Sequence, residues 1–142
     1  LAKENVLVPG ELVTRVLLPN PNSGVEPQAE WGGDNGPSTH SLYLKARERE
    51  AGDFALVSVA VAIKMEGTSL VRASVVLGGV APVPYRARGV EEYLHGKQAG
   101  QVDPDYAGSL ALPDARPMAD NSYKVVLAQN LIKRAIGLLM SG

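Results

Sequence analysis

The densest run of chemically capable side chains in this chain is Tyr43-x-Lys45-x-Arg47-x-Arg49-x-x-x-Asp53. Alternate residues of a strand point to one face. A strand running straight through this segment would therefore set a phenol and three cations side by side. Such a face could meet an anionic or electron-rich ligand, because fixed positive charge stabilises negative charge that develops beside it. The same pattern also suits an edge strand protected by charge. Glu48, Glu50 and Asp53 would then neutralise their neighbours as surface pairs of small energy. The residues alone leave both readings open.

Other chemistries lack their residues. Neither GxGxxG nor GxxxxGK(S/T) occurs. Trp31-Gly32-Gly33-Asp34-Asn35-Gly36 is glycine-rich but does not sit between a strand and a helix, so it reads as a flexible loop. Gly78-Gly79 reads as a bulge at a strand end, with close backbone approach as the alternative. His40 reads as a loop residue and His95 as a solvated helix end. Nothing gives them the spacing of a metal pair. No G-x-S-x-G elbow is present. The chain has no cysteine, so it offers no disulfide, no thiolate nucleophile and no thiolate ligand for zinc or iron–sulfur clusters.

The whole composition narrows the classes further. At 142 residues and 45% hydrophobic content, the chain can bury the core of one domain. Its 14 Lys+Arg balance 15 Asp+Glu for a net charge of −1. That argues against a dedicated nucleic-acid binder, which usually carries a basic excess. No apolar run approaches the ~20 residues of a membrane span. The chain opens on Leu1, without an initiator Met or a signal-peptide pattern, and so reads as a piece of something longer.

The elements that must position the Tyr43 segment follow from periodicity and punctuation. Pro9-Gly10 marks a turn, and the β-branched stretch Glu11–Leu18 reads as a strand stopped by Pro19. A long loop over 19–40, rich in Pro and Gly, could lie on a partner as an arm. Ser41–Ala46 reads as a strand. Asp53–Met65 reads as another, with Val57, Val59, Val61 and Ile63 at period two. Its second face holds Ser58, Ala60 and Ala62, small rather than charged, which predicts cover on both faces. Glu66-Gly67-Thr68-Ser69 predicts a hairpin turn, returning through an antiparallel strand over Leu70–Val80. Arg88–Lys97 has helical spacing with Gly96 as its stop. Asp103 or Asp105 could cap a short helix with Pro104 at its first position. Asn121–Met140 predicts a long helix with the stripe Val125, Ala128, Leu131, Ile132, Ala135, Ile136 and Leu139. Strands first and helices last predict an α+β fold, with an antiparallel sheet of three or four strands and about three helices packed on one face.

At this point four stretches carry a resemblance. Leu7–Leu12 opens it. Ser41-Leu42-Tyr43-Leu44-Lys45-Ala46-Arg47-Glu48-Arg49 with Asp53–Ala60 is its most specific part. Leu77–Ala87 comes next, and Asn121–Val125 with Leu131–Ala135 closes it. Together they resemble the C-terminal domain of the FAD-binding (medium) subunit of molybdenum hydroxylases. That group includes carbon monoxide dehydrogenases, xanthine dehydrogenases and bacterial aldehyde oxidoreductases. The closing stretch is most similar to the aldehyde-oxidoreductase branch.

The resemblance implies a single domain over residues 1–142, with the FAD-binding N-terminal subdomains and their pyrophosphate loops absent. It implies a part of a flavoprotein subunit, an oxidoreductase component that is not catalytic alone. Such a domain caps FAD and packs against the rest of its own subunit, an iron–sulfur subunit and a molybdenum subunit. In such complexes electrons pass from the molybdenum cofactor through iron–sulfur clusters to FAD and on to an acceptor, and substrate choice lies in another subunit. Residue by residue, Lys45 matches a lysine near the flavin ring, and Tyr43 is its neighbour on the same face. Arg49 and Asp53 match a charged segment by the acceptor's way in, and Gly78-Gly79 matches a structural turn. No nucleic acid, membrane or bound metal is expected, and the cytoplasm is the expected compartment, with the periplasm as alternative. The competing expectation is a non-catalytic interaction or scaffolding domain that has kept the fold without flavin.

Overall fold

In the computed structural model, residues 6–16, 39–49 and 52–141 are described. Four strands form one antiparallel sheet in the order of the chain. They are β1 (Thr39–Ala46), β2 (Val57–Glu66), β3 (Ser69–Gly78) and the two-residue β4 (Tyr85–Arg86). The hairpin between β2 and β3 turns at Gly67, whose φ of +60° is open to glycine at little cost. Ser69 pairs with Glu66 across that turn. The register shifts between Lys64 and Met65, an irregularity of the bulge kind just before the turn.

Period two does the sorting in this sheet. Val57, Val59, Val61 and Ile63 of β2 and Val75 and Leu77 of β3 are buried on one face. Three helices cover that face: α1 (Arg88–Leu94), α2 (Pro104–Ser109) and α3 (Tyr123–Met140). The long α3 lies over β1 and β2, α1 lies against β3, and α2 packs on α3. Ala128, Leu131, Ile132, Ala135 and Ile136 of α3 are buried, as the helical stripe predicts. The architecture is thus the α+β sandwich expected from pattern, with four strands and helices on one face.

Local signals set the helix ends. Gly96 (φ +76°) follows α1 as its stop, one residue past His95. Asp103 caps α2, its Oδ1 accepting from the Asp105 and Tyr106 N–H groups at 2.9 and 3.3 Å. Pro104 opens the helix, where its missing N–H costs nothing. Gly108 sits within α2 for a packing reason. A Cβ there would lie 2.7 Å from the Gln129 carbonyl oxygen of α3.

Several expectations are corrected. The described part of the expected strand Glu11–Leu18, residues 11–16, is irregular and exposed. Its β-branched composition meets no partner strand among the described residues, and composition without a hydrogen-bonded neighbour does not make a strand. Only the Pro9-Gly10 turn holds: the Glu11 N–H donates to the Val8 carbonyl at 3.0 Å, and the Val8 N–H donates to Glu11 Oε2 at 2.9 Å. Of the expected 19–40 loop, Thr39 and His40 belong to β1. The rest, with Trp31, lies outside the described residues. The strand expected from Asp53 starts only at Val57. β4 was not expected, because Pro82 and Pro84 mark the end of the sheet in sequence. The chain nevertheless returns to pair Tyr85 with Leu77 and Arg86 with Val76.

Candidate functional site

Tyr43 and Lys45 project from the face of β1 opposite the helices. Their cross-strand partners on β2 are Ala60 and Ser58. Tyr43 is 60% exposed. Beside it, Ser41, Ala60, Ala62, Ser74 and Val76 line a shallow trough of about 330 Å³. Ser58 is buried and Ala62 half-buried, but Ala60 is exposed, so among the described residues the predicted cover of the second face is incomplete. The trough is shallow because its floor consists of methyl and hydroxymethyl groups. An aromatic ring on Tyr43 stands at its rim.

The expected row of one phenol and three cations breaks after Lys45. β1 ends at Ala46, and the chain folds back so that the Leu56 N–H donates to the Ala46 carbonyl at 2.9 Å. Arg47 and Arg49 therefore leave the strand face and lie exposed on the turn. Gly52, with φ +68°, lets the chain reverse. Asp53 is brought back beside the strand by this reversal. Its Oδ2 accepts from the Arg49 backbone N–H at 3.2 Å. Its backbone carbonyl accepts from Lys45 Nζ. The structure thus joins Lys45, Asp53 and Arg49 in one loop contact, through backbone atoms for two of the three. It does not bring the guanidinium of Arg49 onto the Tyr43 face. β1 is also the sheet edge, so the charge-protected edge and the ligand-facing strand describe the same element.

The turn after β3 abuts this loop. Gly79 has φ +77°, and a Cβ there would lie 2.7 Å from the Leu56 carbonyl oxygen. A Cβ on Gly78 would lie 2.5 Å from Ser58 Oγ. Gly79 therefore marks a close backbone approach, the alternative to a simple bulge, while Gly78 meets a side chain. Lys124 Nζ of α3 donates to the Gly79 carbonyl at 2.9 Å and anchors the turn from the helix side. Neither Gly52 nor Lys124 stood out in the sequence. The signal for Gly52 was an isolated glycine just before Asp53.

The sequence profile of the CO dehydrogenase flavoprotein C-terminal domain matches residues 42–139, from the residue before Tyr43 to the last turn of α3. The chain belongs to this family. It is 33% identical over 129 residues to the aldehyde oxidoreductase FAD-binding subunit PaoB of Escherichia coli (strain K12), covering 91% of this chain and 33% of that subunit. It is 28% identical to the carbon monoxide dehydrogenase medium chain of Afipia carboxidovorans, covering 90% of this chain and 41% of that one. The chain thus spans between a third and about two-fifths of the length of these curated relatives. Among solved structures, quinoline 2-oxidoreductase from Pseudomonas putida 86 superposes with a TM-score of 0.64 at 27% identity, covering 75% of this chain and 38% of that one. A Cu,Mo-CO dehydrogenase structure superposes with a TM-score of 0.62 at 28% identity, over 72% of this chain and 37% of that one. The family resemblance of the Tyr43–Arg49 segment and of α3 is therefore correct, and so is the fold it implied. Among the described residues no helix is long and apolar enough to cross a membrane.

Proposed function

We propose that this domain works within the flavin subunit of a molybdenum-containing hydroxylase, where it caps one side of FAD and packs against partner subunits. The names of its relatives, an FAD-binding subunit and a CO dehydrogenase medium chain, support this reading. The observation that carries it is the pairing of an exposed Tyr43 with Lys45 on the uncovered face of the edge strand.

The residues present fit the flat part of the cofactor. A phenol at the rim of a floor of small side chains suits one side of a planar ring, and one ammonium suits its electron-rich edge. They do not suit the pyrophosphate, since the sequence holds no glycine-rich phosphate loop. In this reading the N-terminal portion of the same subunit holds most of the cofactor. FAD supplies the electron chemistry when bound, and the protein supplies orientation and electrostatics. Lys45 spends one donor on the Asp53 carbonyl and keeps two for an acceptor. Tyr43 keeps water from the side of the ring it covers. Asp53 and Arg49 hold the loop that fixes Lys45, at the edge where an acceptor would approach. Molybdenum cofactor and iron–sulfur clusters are assigned to partner subunits. This chain has no cysteine, and its described residues form no cluster of three His, Asp or Glu side chains placed for a metal.

The test is Lys45→Ala in the intact complex. Flavin re-oxidation should slow, or FAD retention weaken, by roughly tenfold, the worth of one charge-assisted hydrogen bond. If neither changes, the assignment of Lys45 fails. One observation favours a second reading, in which the domain is an interaction module without flavin: the ammonium of Lys45 already has a partner within its own chain. A visible absorption spectrum of the purified complex separates the two. A flavin band supports capping, and a colourless sample supports the module.

A further inference from the structure

A second concavity lies on the helix side of the sheet, past the end of β3, and shares no residue with the Tyr43 trough. Three short segments enclose about 240 Å³. Val80 and Tyr85 form one wall. Leu112, Asp114, Arg116 and Pro117 form the second, in the turn after α2. Asn121, Lys124 and Val125 at the start of α3 form the third.

The walls are preformed. Asn121 Oδ1 accepts from the Met118 N–H at 2.7 Å, and the Ala115 N–H donates to the Leu112 carbonyl at 3.3 Å. Lys124 Nζ ties the third wall to the first through the Gly79 carbonyl. Pro82, Pro84, Pro113 and Pro117 fix φ along the first two walls. A pocket that is already ordered spares a ligand the entropy of ordering it.

Its chemistry is two-sided. Val80, Leu112, Pro117 and Val125 make the interior apolar. Arg116 and Lys124 bring two positive charges against the one negative charge of Asp114, a net +1 at the mouth. Among the described residues the Arg116 guanidinium has neither a hydrogen bond nor an ion pair. Lys124 has spent one of its three donors. An engineered apolar cavity of about 150 Å³ takes up benzene, so this pocket has room for one ring and a carboxylate.

We propose that this pocket binds a small amphipathic carboxylic acid, with its carboxylate on Arg116 and Lys124 and its ring or branched chain on Leu112 and Val125. The planar fork of Arg116 matches a carboxylate through two parallel hydrogen bonds. The proposal does not rest on the flavin assignment.

Benzoate titrated calorimetrically into the intact complex, beside its uncharged analogue benzamide, tests it. Benzoate should bind saturably, and Arg116→Ala should weaken that binding by at least roughly tenfold. Arg116 is exposed, so its truncation leaves the core in place. Arg116→Lys should restore part of the affinity, because it returns the charge without the fork. Benzamide should bind at least roughly tenfold less tightly than benzoate. Absence of saturable benzoate binding, equal binding of benzamide, or benzoate affinity unmoved by Arg116→Ala would each overturn the proposal.

Discussion

The two faces of the sheet are made by the same strands and differ in side-chain size as well as in polarity. Toward the helices, β2 and β3 present Val57, Val59, Val61, Ile63, Val75 and Leu77, all buried. Away from them the alternate residues are the buried Ser58, then Ala60, Ala62, Ser74 and Val76, with the cross-strand pair Lys64 and Arg72 at the far end. The small residues at the centre of that face carry no charge, so hydropathy alone reads that part as interior. Burial stabilises in proportion to apolar area, about 25 cal/mol per Å². Valine and isoleucine bring that area, while alanine and serine bring little. The first face therefore holds the fold. The second costs little to leave bare and stays flat enough for a surface or a planar ligand to lie on, with Tyr43 and Lys45 at its edge. In the proposed reading, stability and binding are divided between the two faces of the sheet.

That division can be broken most directly at Ile63. Ile63→Ala should cost about 2–5 kcal/mol in chemical denaturation, since the side chain is fully buried and leaves a cavity. A loss no larger than that of a surface change would mean the helix-covered face does not carry the fold. Next is the seating of the helix layer itself. Gly108→Ala should cost about 1–3 kcal/mol, because its Cβ meets the backbone of α3 at Gln129, which cannot swing aside as a side chain can. Asp103→Ala removes two hydrogen bonds at the start of α2 and should cost about 0.5–2 kcal/mol, read as a lowered unfolding midpoint. The smallest effect belongs to the bare face. Ala60→Ser should change stability by no more than about 0.5 kcal/mol. Tyr43→Ser should be nearly as mild for unfolding yet lower flavin retention in the intact complex. A large loss of stability at Tyr43 with unchanged flavin content would reverse the comparison.

The legible parts of the fold are those whose signals are local. Val57, Val59, Val61 and Ile63 announce a strand by alternation. The α3 stripe announces a helix by its 3.6-residue period. Asp103-Pro104 and Gly96 announce ends, because a cap or a left-handed residue acts within its own turn. Glu11–Val16 shows the limit. Its composition is as strand-like as that of β1, but a strand exists only by pairing, and no described strand pairs with it.

The site divides in the same way. Alternation on β1 was enough to put Tyr43 and Lys45 on one face. It also extended that face to Arg47 and Arg49, and there it failed. The chain turns after Ala46, where the strand Ser41–Ala46 is expected to end, and Gly52 lets it return so that the Leu56 N–H meets the Ala46 carbonyl. The pairing of Lys45 with Asp53 uses a backbone carbonyl, an atom every residue has. Glu91 is another such case. It satisfies the Val75 N–H at 2.8 Å while holding Arg86 Nε at 2.9 Å, closing part of the β3 edge that the two-residue β4 leaves open. Sequence alone determined which residues are apolar, where they repeat and where the chain can cap or turn, since side-chain chemistry sets those terms. Tertiary structure decided which backbone groups meet across the loops, because those contacts depend on distance in space rather than on the identity of the residues that make them.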